Sequence, residues 1–447
     1  MKLEAFVNDL FAAAKKIGFE ECEVYYVDRE SLSIGAYKQE IEKYSLNNSA
    51  GISFRGKIGD RIGYSYSEIM DEEAINMLVN KAKENLESIE SEDVQFIYGG
   101  DKEYKEINSY YPELENVSPS TLIDIALNME KETYNLNENV VSTSGCGVSY
   151  SSGKYGLINS KGLKLENKSN LLTAYVVPII KIGDNMHDGF GYVTAKNLNE
   201  VDANKIASRG VEEALAKVGA KSIPSGNYPV IIDNEAMVSL ISTFAGIFSA
   251  DAAQKGLSLL KDKEGEVIAS SILSIIDNPH LEDGLASVGF DDEGVATKCK
   301  YIIKEGTLET LLHNLKTANK AGIKSTGNGF KASYASPVGI SATNFYIEPG
   351  KESFDELLEG IENGVIIYDF AGLHSGANSI TGDFSLAAKG FYIENGKKTF
   401  PVEQITVAGN FFDLLKDVEK IGNDLWFPMS SVGSPSIKIK NLSIAGE

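Results

Sequence analysis

The sequence predicts an α+β protein. A front half repeats the order helix, strands, hairpin, helix, and a β-rich, barrel-like C-terminal domain follows. Three observations carry this. The string Lys-Ile-Gly-Asp, followed by a turn and Gly-Tyr, occurs at 57–68 and again at 181–196. Segments with apolar residues at helical spacing flank both copies in the same order. Beyond residue 223 the chain becomes richer in glycine and in alternating runs closed by tight turns.

The first module is expected over 1–90. "LEAFVNDLFAAAKKIG" (3–18) has the apolar spacing of an amphipathic helix. "CEVYYVDRE", "SLSIGAYKQEIEKYSL" and "AGISFRGK" read as strands, and the first "KIGD" hairpin follows. A helix opening at Ser67 or Asp71 closes the module, with acidic residues in its first turn where the helix dipole favours them. A polar, Tyr-rich connection is expected over 91–117, its acidic run solvated.

The second module, 118–222, repeats the order. "SPSTLIDIALNMEKETYN" is a helix with Ser118 or Ser120 as its N-cap. Residues 139–180 are strands broken by Gly-containing turns, and 198–220 form the closing helix. The shared order of elements points to duplication more than the four-residue echo does.

The C-terminal domain, 223–447, begins at "IPSGNYPVIID", where Pro and Gly precede a β-rich run. A long helical pattern covers 234–256, and a short helix at 353–364 is expected to stop at Gly364. Asn395-Gly396 supplies the positive φ angles of a tight hairpin turn, and Gly306 marks a second hairpin. Such density of strand and turn suggests a barrel or curved sheet.

Composition excludes several functions. With 447 residues, 43% hydrophobic and 24% charged, the chain is an ordinary globular one with length for two or three domains. No apolar run reaches 18 residues, so no membrane span is expected. Glu4 and Asp9 interrupt the N-terminal apolar stretch, which therefore reads as a helix, not a targeting segment, and the cytoplasm is the expected location. Three scattered cysteines, Cys22, Cys146 and Cys299, fit a reducing compartment. A net charge of −22 repels phosphate backbones, so no nucleic-acid partner is expected.

Local catalytic motifs are sparse. The four histidines, His187, His280, His313 and His374, never fall at helical or hairpin spacing, so no HExxH zinc arrangement exists. No G-x-S-x-G elbow occurs. "STGNGF" (325–330) lacks the Lys-Ser/Thr ending of a phosphate loop, and "FDDEG" (290–294) reads as a solvated turn. One stretch stands out: "GLHSGANSITGDF". Gly372, Gly376 and Gly382 allow close backbone approach, while His374, Ser375, Asn378, Thr381 and Asp383 offer donors and acceptors. Such a loop either faces a ligand or satisfies its own polar groups.

"GLHSGANSITGDFSLAAKGFYIENG", then "PVEQITVAGNFFDLL" and a terminal "SVGSPSIKI", resembles the C-terminal signature of the TldD/PmbA family. Within it the chain is similar to the PmbA branch, also called TldE, and the likeness runs through "EVYYVDRESLSIGAYKQEIEKY" at the front. The resemblance implies an N-terminal α/β portion, a β-rich C-terminal domain, and a subunit of a cytoplasmic peptidase complex that trims leader peptides and degrades unfolded small proteins. It implies a TldD-like metallopeptidase partner carrying zinc on an HExxxH helix and a Cys near the C-terminus. The matching helix here, "NEAMVSLISTFAGIFSAD", has no His; Glu235 is its only Glu, and no Cys follows Cys299. No cofactor or metal ligand is therefore expected in this chain, and the 372–383 loop is expected to be structural or substrate-facing. Two further readings remain open: a hydrolase in its own right centred on His374 and Asp383, and a homodimeric peptide-binding protein. An older family label tying such proteins to DNA gyrase gains nothing from a charge of −22.

Overall fold

The computed structural model describes residues 2–88 and 93–447, so residues 89–92, where the first module was expected to pass into the connection, lie outside the described residues. The chain forms two compact units. The first comprises Met1–Val218, Phe290–Ala296 and Phe330–Gly339; the second comprises Gly219–Gly289, Thr297–Gly329 and Ile340–Glu447.

The first unit is built on the repeat. Its first copy runs α1 (Leu3–Lys16), β1 (Glu21–Tyr37), β2 (Glu40–Ile58), β3 (Arg61–Ser67) and α2 (Glu72–Ser88). Its second copy runs α3 (Pro119–Leu136), β4 (Val140–Asn159), β5 (Lys164–Ile182), β6 (Asn185–Asp188), β7 (Gly191–Ala195) and α4 (Ala203–Ala216). The strands join in one sheet of order β3-β2-β1-β4-β5-β6, with β7 also on β5. The antiparallel pairing of β1 with β4, from Glu23–Asn159 to Gly35–Gly147, joins the two copies.

Side-chain caps start the helices as the sequence suggests. Asp71 Oδ1 accepts from the Ala74 N–H at 2.8 Å, and Ser118 Oγ from the Thr121 N–H at 3.1 Å. Phe6, Leu10, Leu78 and Ala82 of α1 and α2 pack on Val24, Tyr26, Ile52 and Phe54 of the sheet. Leu122, Ala126 and Met129 of α3 pack on Leu32 and Ile34 of β1 and on Val148 and Leu172.

The echoed Gly-Tyr has a steric cause. A Cβ on Gly63 of β3 would lie 1.9 Å from the Ala82 carbonyl oxygen of α2, and one on Gly191 of β7 would lie 1.8 Å from the Ile206 oxygen of α4. In both copies the closing helix lays its backbone on the strand, and only glycine leaves room.

The second unit contains a closed five-stranded barrel. β8 (Gly226–Ile232) pairs with the strand Ile437–Ala445, which pairs with Lys397–Asn410. That strand pairs with Asp383–Glu394, then Asn363–Ala371, which returns to β8. Only the closing pair, β8 with Asn363–Ala371, is parallel. Val230, Ile232, Val365, Ile367, Leu386 and Val407 fill the core. Asn395 (φ 52°) and Gly396 (φ 72°) make the expected hairpin turn.

Two boundaries differ from the sequence reading. The helix expected over 234–256 stops at Phe244, where the chain tightens into a 3-10 turn before a short helix at Ala250–Gln254. The helix in 353–364 ends at Leu358, with Gly360 (φ 75°) turning the chain; Gly364 lies inside the next strand.

Gly63→Ala and Gly191→Ala should each lower unfolding stability by about 1–3 kcal/mol, the usual cost of overpacking. Denaturant unfolding checks this, with the same substitution at Gly59, which has open space but φ 60°, separating strain from clash.

Candidate functional site

The strand Asn363–Ala371 and β8 run parallel and end side by side at one end of the barrel. β8 leads into α5 (Asn234–Phe244), and its neighbour leads into the 372–383 loop. Two sequence-distant segments therefore share one end of the barrel, and the turn Leu373–Gly376 packs against α5.

α5 begins at Asp233, whose Oδ1 accepts from the Ala236 N–H at 2.9 Å. Its apolar face, Met237, Leu240, Ile241 and Phe244, enters the core. Phe244 stacks on Phe411, with ring centroids 4.5 Å apart and 15° between planes. The opposite side carries Glu235, Ser239, Ser242 and Thr243. Ser239 Oγ donates to the Glu235 carbonyl at 3.2 Å, and Thr243 Oγ1 to the Ser239 carbonyl at 2.9 Å. Hydroxyls turned back on their own helix are poor ligands for zinc. Among the described residues, no three His, Cys, Asp or Glu side chains converge as a metal site.

The loop is braced from within. Gly372 (φ 82°) and Gly382 (φ 84°) take the left-handed backbone that glycine favours. Asn378 Oδ1 accepts from the N–H groups of Ile380 (2.9 Å) and Thr381 (3.2 Å). The Asn378 N–H donates to the Asp383 carbonyl at 2.8 Å. Asp383 accepts from Thr381 Oγ1 at 2.8 Å on one carboxylate oxygen and from Asn410 Nδ2 at 2.9 Å on the other. The Asn410 amide and the Thr381 hydroxyl hold the Asp383 carboxyl below its usual range. Asn378, Thr381, Gly382 and Asp383 thus form one knot. His374 and Ser375 sit apart on the exposed turn Leu373–Gly376, where Ser375 Oγ donates to the Gly372 carbonyl at 3.3 Å.

In the first unit, a buried charged cluster went unread in the sequence. Asp291, Asp292 and Glu293, expected in a solvated turn, are all buried. The turn exists, since Asp291 Oδ1 accepts from the Glu293 and Val295 N–H groups, but the sheet covers it. Glu293 lies 3.5 Å from Arg55 of β2, which also pairs with buried Glu23 of β1. The Lys331 N–H donates to Asp292 Oδ2 at 2.7 Å, and its ammonium donates to Ser53 Oγ at 3.1 Å, 4.6 Å from the centre of the Tyr64 ring. Burial pushes the Asp292 carboxyl up to about 6. Burial, aided by the Arg55 charge, pushes the Lys331 amine down to about 7.

One local signal was available. Cys22–Tyr26 is buried residue after residue, and a strand covered on both faces must carry Glu23 inward. Nothing in the sequence names Lys331 or Asp292 as its cover.

The Lys331 shift has a testable sign. Its folded value lies below the unfolded one near 10.4, so the unfolded chain binds more protons between pH 7 and about 10. The wild type should therefore gain thermal stability relative to Lys331→Met as pH rises from 7 to 9, with little change in the difference below pH 6.5. Calorimetric Tm against pH reads this directly.

Comparison with known proteins places this geometry. The domain descriptions of PmbA/TldA metallopeptidase match in chain order: domain 1 at residues 22–86, the central domain at 112–218 and the C-terminal domain at 225–446. Metalloprotease PmbA of Escherichia coli O157:H7 is 28% identical over 332 residues, covering 74% of this chain and 71% of that protein. The crystal structure of a proposed modulator of a DNA gyrase from Thermotoga maritima superposes with TM-score 0.91 at 33% identity, over 99% of this chain and all (100%) of that one. TldE from Thermococcus kodakarensis has the same fold, with TM-score 0.89 at 24% identity over 99% and 100% of the two chains.

Proposed function

The chain belongs to the PmbA/TldD metallopeptidase family, and from that premise we propose that it is a PmbA/TldE-type subunit of a cytoplasmic peptidase complex. Its partner is a TldD-like metallopeptidase, and its substrates are leader peptides and unfolded small proteins. The observation that carries this reading is the outward side of α5. Where the catalytic branch needs imidazoles, this helix offers one carboxylate, Glu235, and the hydroxyls of Ser239, Ser242 and Thr243. That set does not fit zinc, whose protein sites use thiolate, imidazole and carboxylate donors. Metal chemistry is accordingly assigned to the partner, and no hydrolytic step is assigned to this chain.

The 372–383 loop stands beside that helix as a rigid, polar, substrate-facing surface. Gly372, Asn378, Thr381, Gly382 and Asp383 set its shape, and His374 and Ser375 are the groups left exposed at its turn. A hydrolase centred on His374 and Asp383 is less well supported, because both Asp383 oxygens are already engaged by Thr381 and Asn410. A general base of the Ser-His-Asp kind needs that carboxylate on the imidazole.

Peptide hydrolysis by the purified chain, by a TldD-like subunit and by their mixture tests the reading. The mixture is expected to cleave, chelator to stop it, and the chain alone to be inert. His374→Ala in the mixture should raise KM several-fold with kcat nearly unchanged, as loss of a binding contact does. Cleavage by the chain alone, abolished by His374→Ala, would overturn it.

A further inference from the structure

We propose that Lys300 and Asn328 become joined by an intramolecular isopeptide bond, formed on Asp277 with loss of ammonia. The three residues come from separate stretches of the second unit. Asp277 ends the short strand Ile275–Asp277, and Lys300 opens Lys300–Lys304 directly opposite it in the antiparallel register. Asn328 closes the turn Ser-Thr-Gly-Asn just before Gly329–Lys331. The bond does not depend on the peptidase partner.

An amine and an amide meet on one carboxylate oxygen. Asp277 Oδ2 accepts from Lys300 Nζ at 2.8 Å and from Asn328 Nδ2 at 2.8 Å. Lys300 Nζ also donates to Asn328 Oδ1 at 3.0 Å. A nucleophile, the amide it attacks and a proton acceptor thus lie within hydrogen-bond reach of one another. Water is kept out: Asp277 and Asn328 are fully buried, and the Lys300 side chain is only 13% exposed. An ion pair alone would need only Lys300 and Asp277. The amide makes the trio a set of reactants, held at the close separation that favours an intramolecular step.

The surrounding contacts suit each stage. Thr326 Oγ1 donates to Asn328 Oδ1 at 2.7 Å and accepts from the His313 N–H at 2.7 Å. That hydroxyl is placed to stabilise the oxyanion that Oδ1 becomes. Asn328 Nδ2 donates also to the Ser341 carbonyl at 2.9 Å, which fixes the plane of the amide. Asp277 Oδ1 accepts from the Thr343 N–H at 2.6 Å and from its hydroxyl at 2.7 Å. The carboxylate is therefore held by one oxygen and left to move protons with the other.

The step balances within these groups. Asp277 takes a proton from the Lys300 ammonium, and rotation about Cε–Nζ turns the freed lone pair toward Asn328 Cγ. The amine attacks Cγ, and the carbonyl π pair moves onto Oδ1. Asp277 gives its proton to Nδ2, the Cγ–Nδ2 bond breaks, and the carbonyl re-forms as ammonia is released. The surplus proton on the new amide nitrogen passes through Asp277 to the ammonia, which departs as ammonium. One C–N bond replaces another, so no oxidant, reductant or cofactor takes part. The product closes a loop over residues 300–328, which holds the helix Leu315–Ala321. Such a tie restrains the unfolded chain as a disulfide does, in a protein whose three cysteines are all free.

Mass spectrometry of the purified full-length chain, fresh and after prolonged warming, tests this. The bonded chain is expected to weigh about 17 Da less than its sequence, the mass of one ammonia. A digest should contain the peptides bearing Lys300 and Asn328 joined through their side chains. Asn328 precedes Gly329 and Asn395 precedes Gly396, so cyclisation of either Asn onto its own backbone would lose the same mass. Lys300→Arg separates the two chemistries, because it keeps a cation beside Asp277 but cannot form the bond; it should keep the full mass. Asp277→Asn, which removes the proton acceptor, should leave most of the chain unjoined, with circular dichroism checking its fold. The proposal is overturned if the wild type keeps the full mass in both samples. It is equally overturned if mass is lost but no joined peptide is found, the result that backbone cyclisation would give. Joining as complete in Asp277→Asn as in the wild type would overturn the role given to Asp277.

Discussion

The pairing of β1 with β4 is the constraint on which the first unit rests. It runs from Glu23–Asn159 to Gly35–Gly147 without a bulge, whereas β1–β2 and β4–β5 each contain irregularities. Each copy alone would leave a long central strand with one unpaired side, and its unmade hydrogen bonds would be exposed on a sheet too small for a stable core. Joined, the two copies share one sheet, and β1 contributes to both helical layers. Its Val24 and Tyr26 lie under α1 and α2, and its Leu32 and Ile34 lie under α3. The repeat is thus two sequences completing one structure.

Burial on both faces has a consequence for charge. The helices cover one face of β1 near Val24, and the segments 290–296 and 330–339 cover the other near Glu23 and Tyr25. A carboxylate there must find a cation, and it finds Arg55, which in turn meets Glu293. Buried pairs of this kind add little net stability because desolvation offsets their attraction, but removing one partner strands the other. Through Arg55 and Glu293 the cluster links the 290–296 segment to the sheet. Within it, burial raises the Asp292 carboxyl and lowers the Lys331 amine.

The barrel end combines the two features that the sequence singled out separately: the helix after β8 and the Gly-rich polar loop. Parallel pairing of β8 with Asn363–Ala371 sends both segments out at the same end, as parallel neighbours must. The loop was legible as a unit because its glycines and Asx residues act locally, through Asn378 and its neighbours up to Asp383. The partner that settles Asp383, Asn410, stands 27 residues away and was not legible. Nor was the stop of α5 at Phe244, where stacking on Phe411 and the 3-10 turn beyond override a pattern that reads as helical to residue 256.

The sequence by itself determined what local physics writes: the helices with their side-chain caps, the Asn395–Gly396 turn and the alternating strands of the β-rich C-terminal half. Each depends on dihedral preference or on periodicity within a dozen residues. Only the tertiary structure decided which charges are buried. Arg55 and Glu293 are 238 residues apart, and Glu130 holds a turn 91 to 92 residues before it. Whether a carboxylate is solvated or desolvated depends on which distant segment covers it, and neither composition nor spacing carries that information.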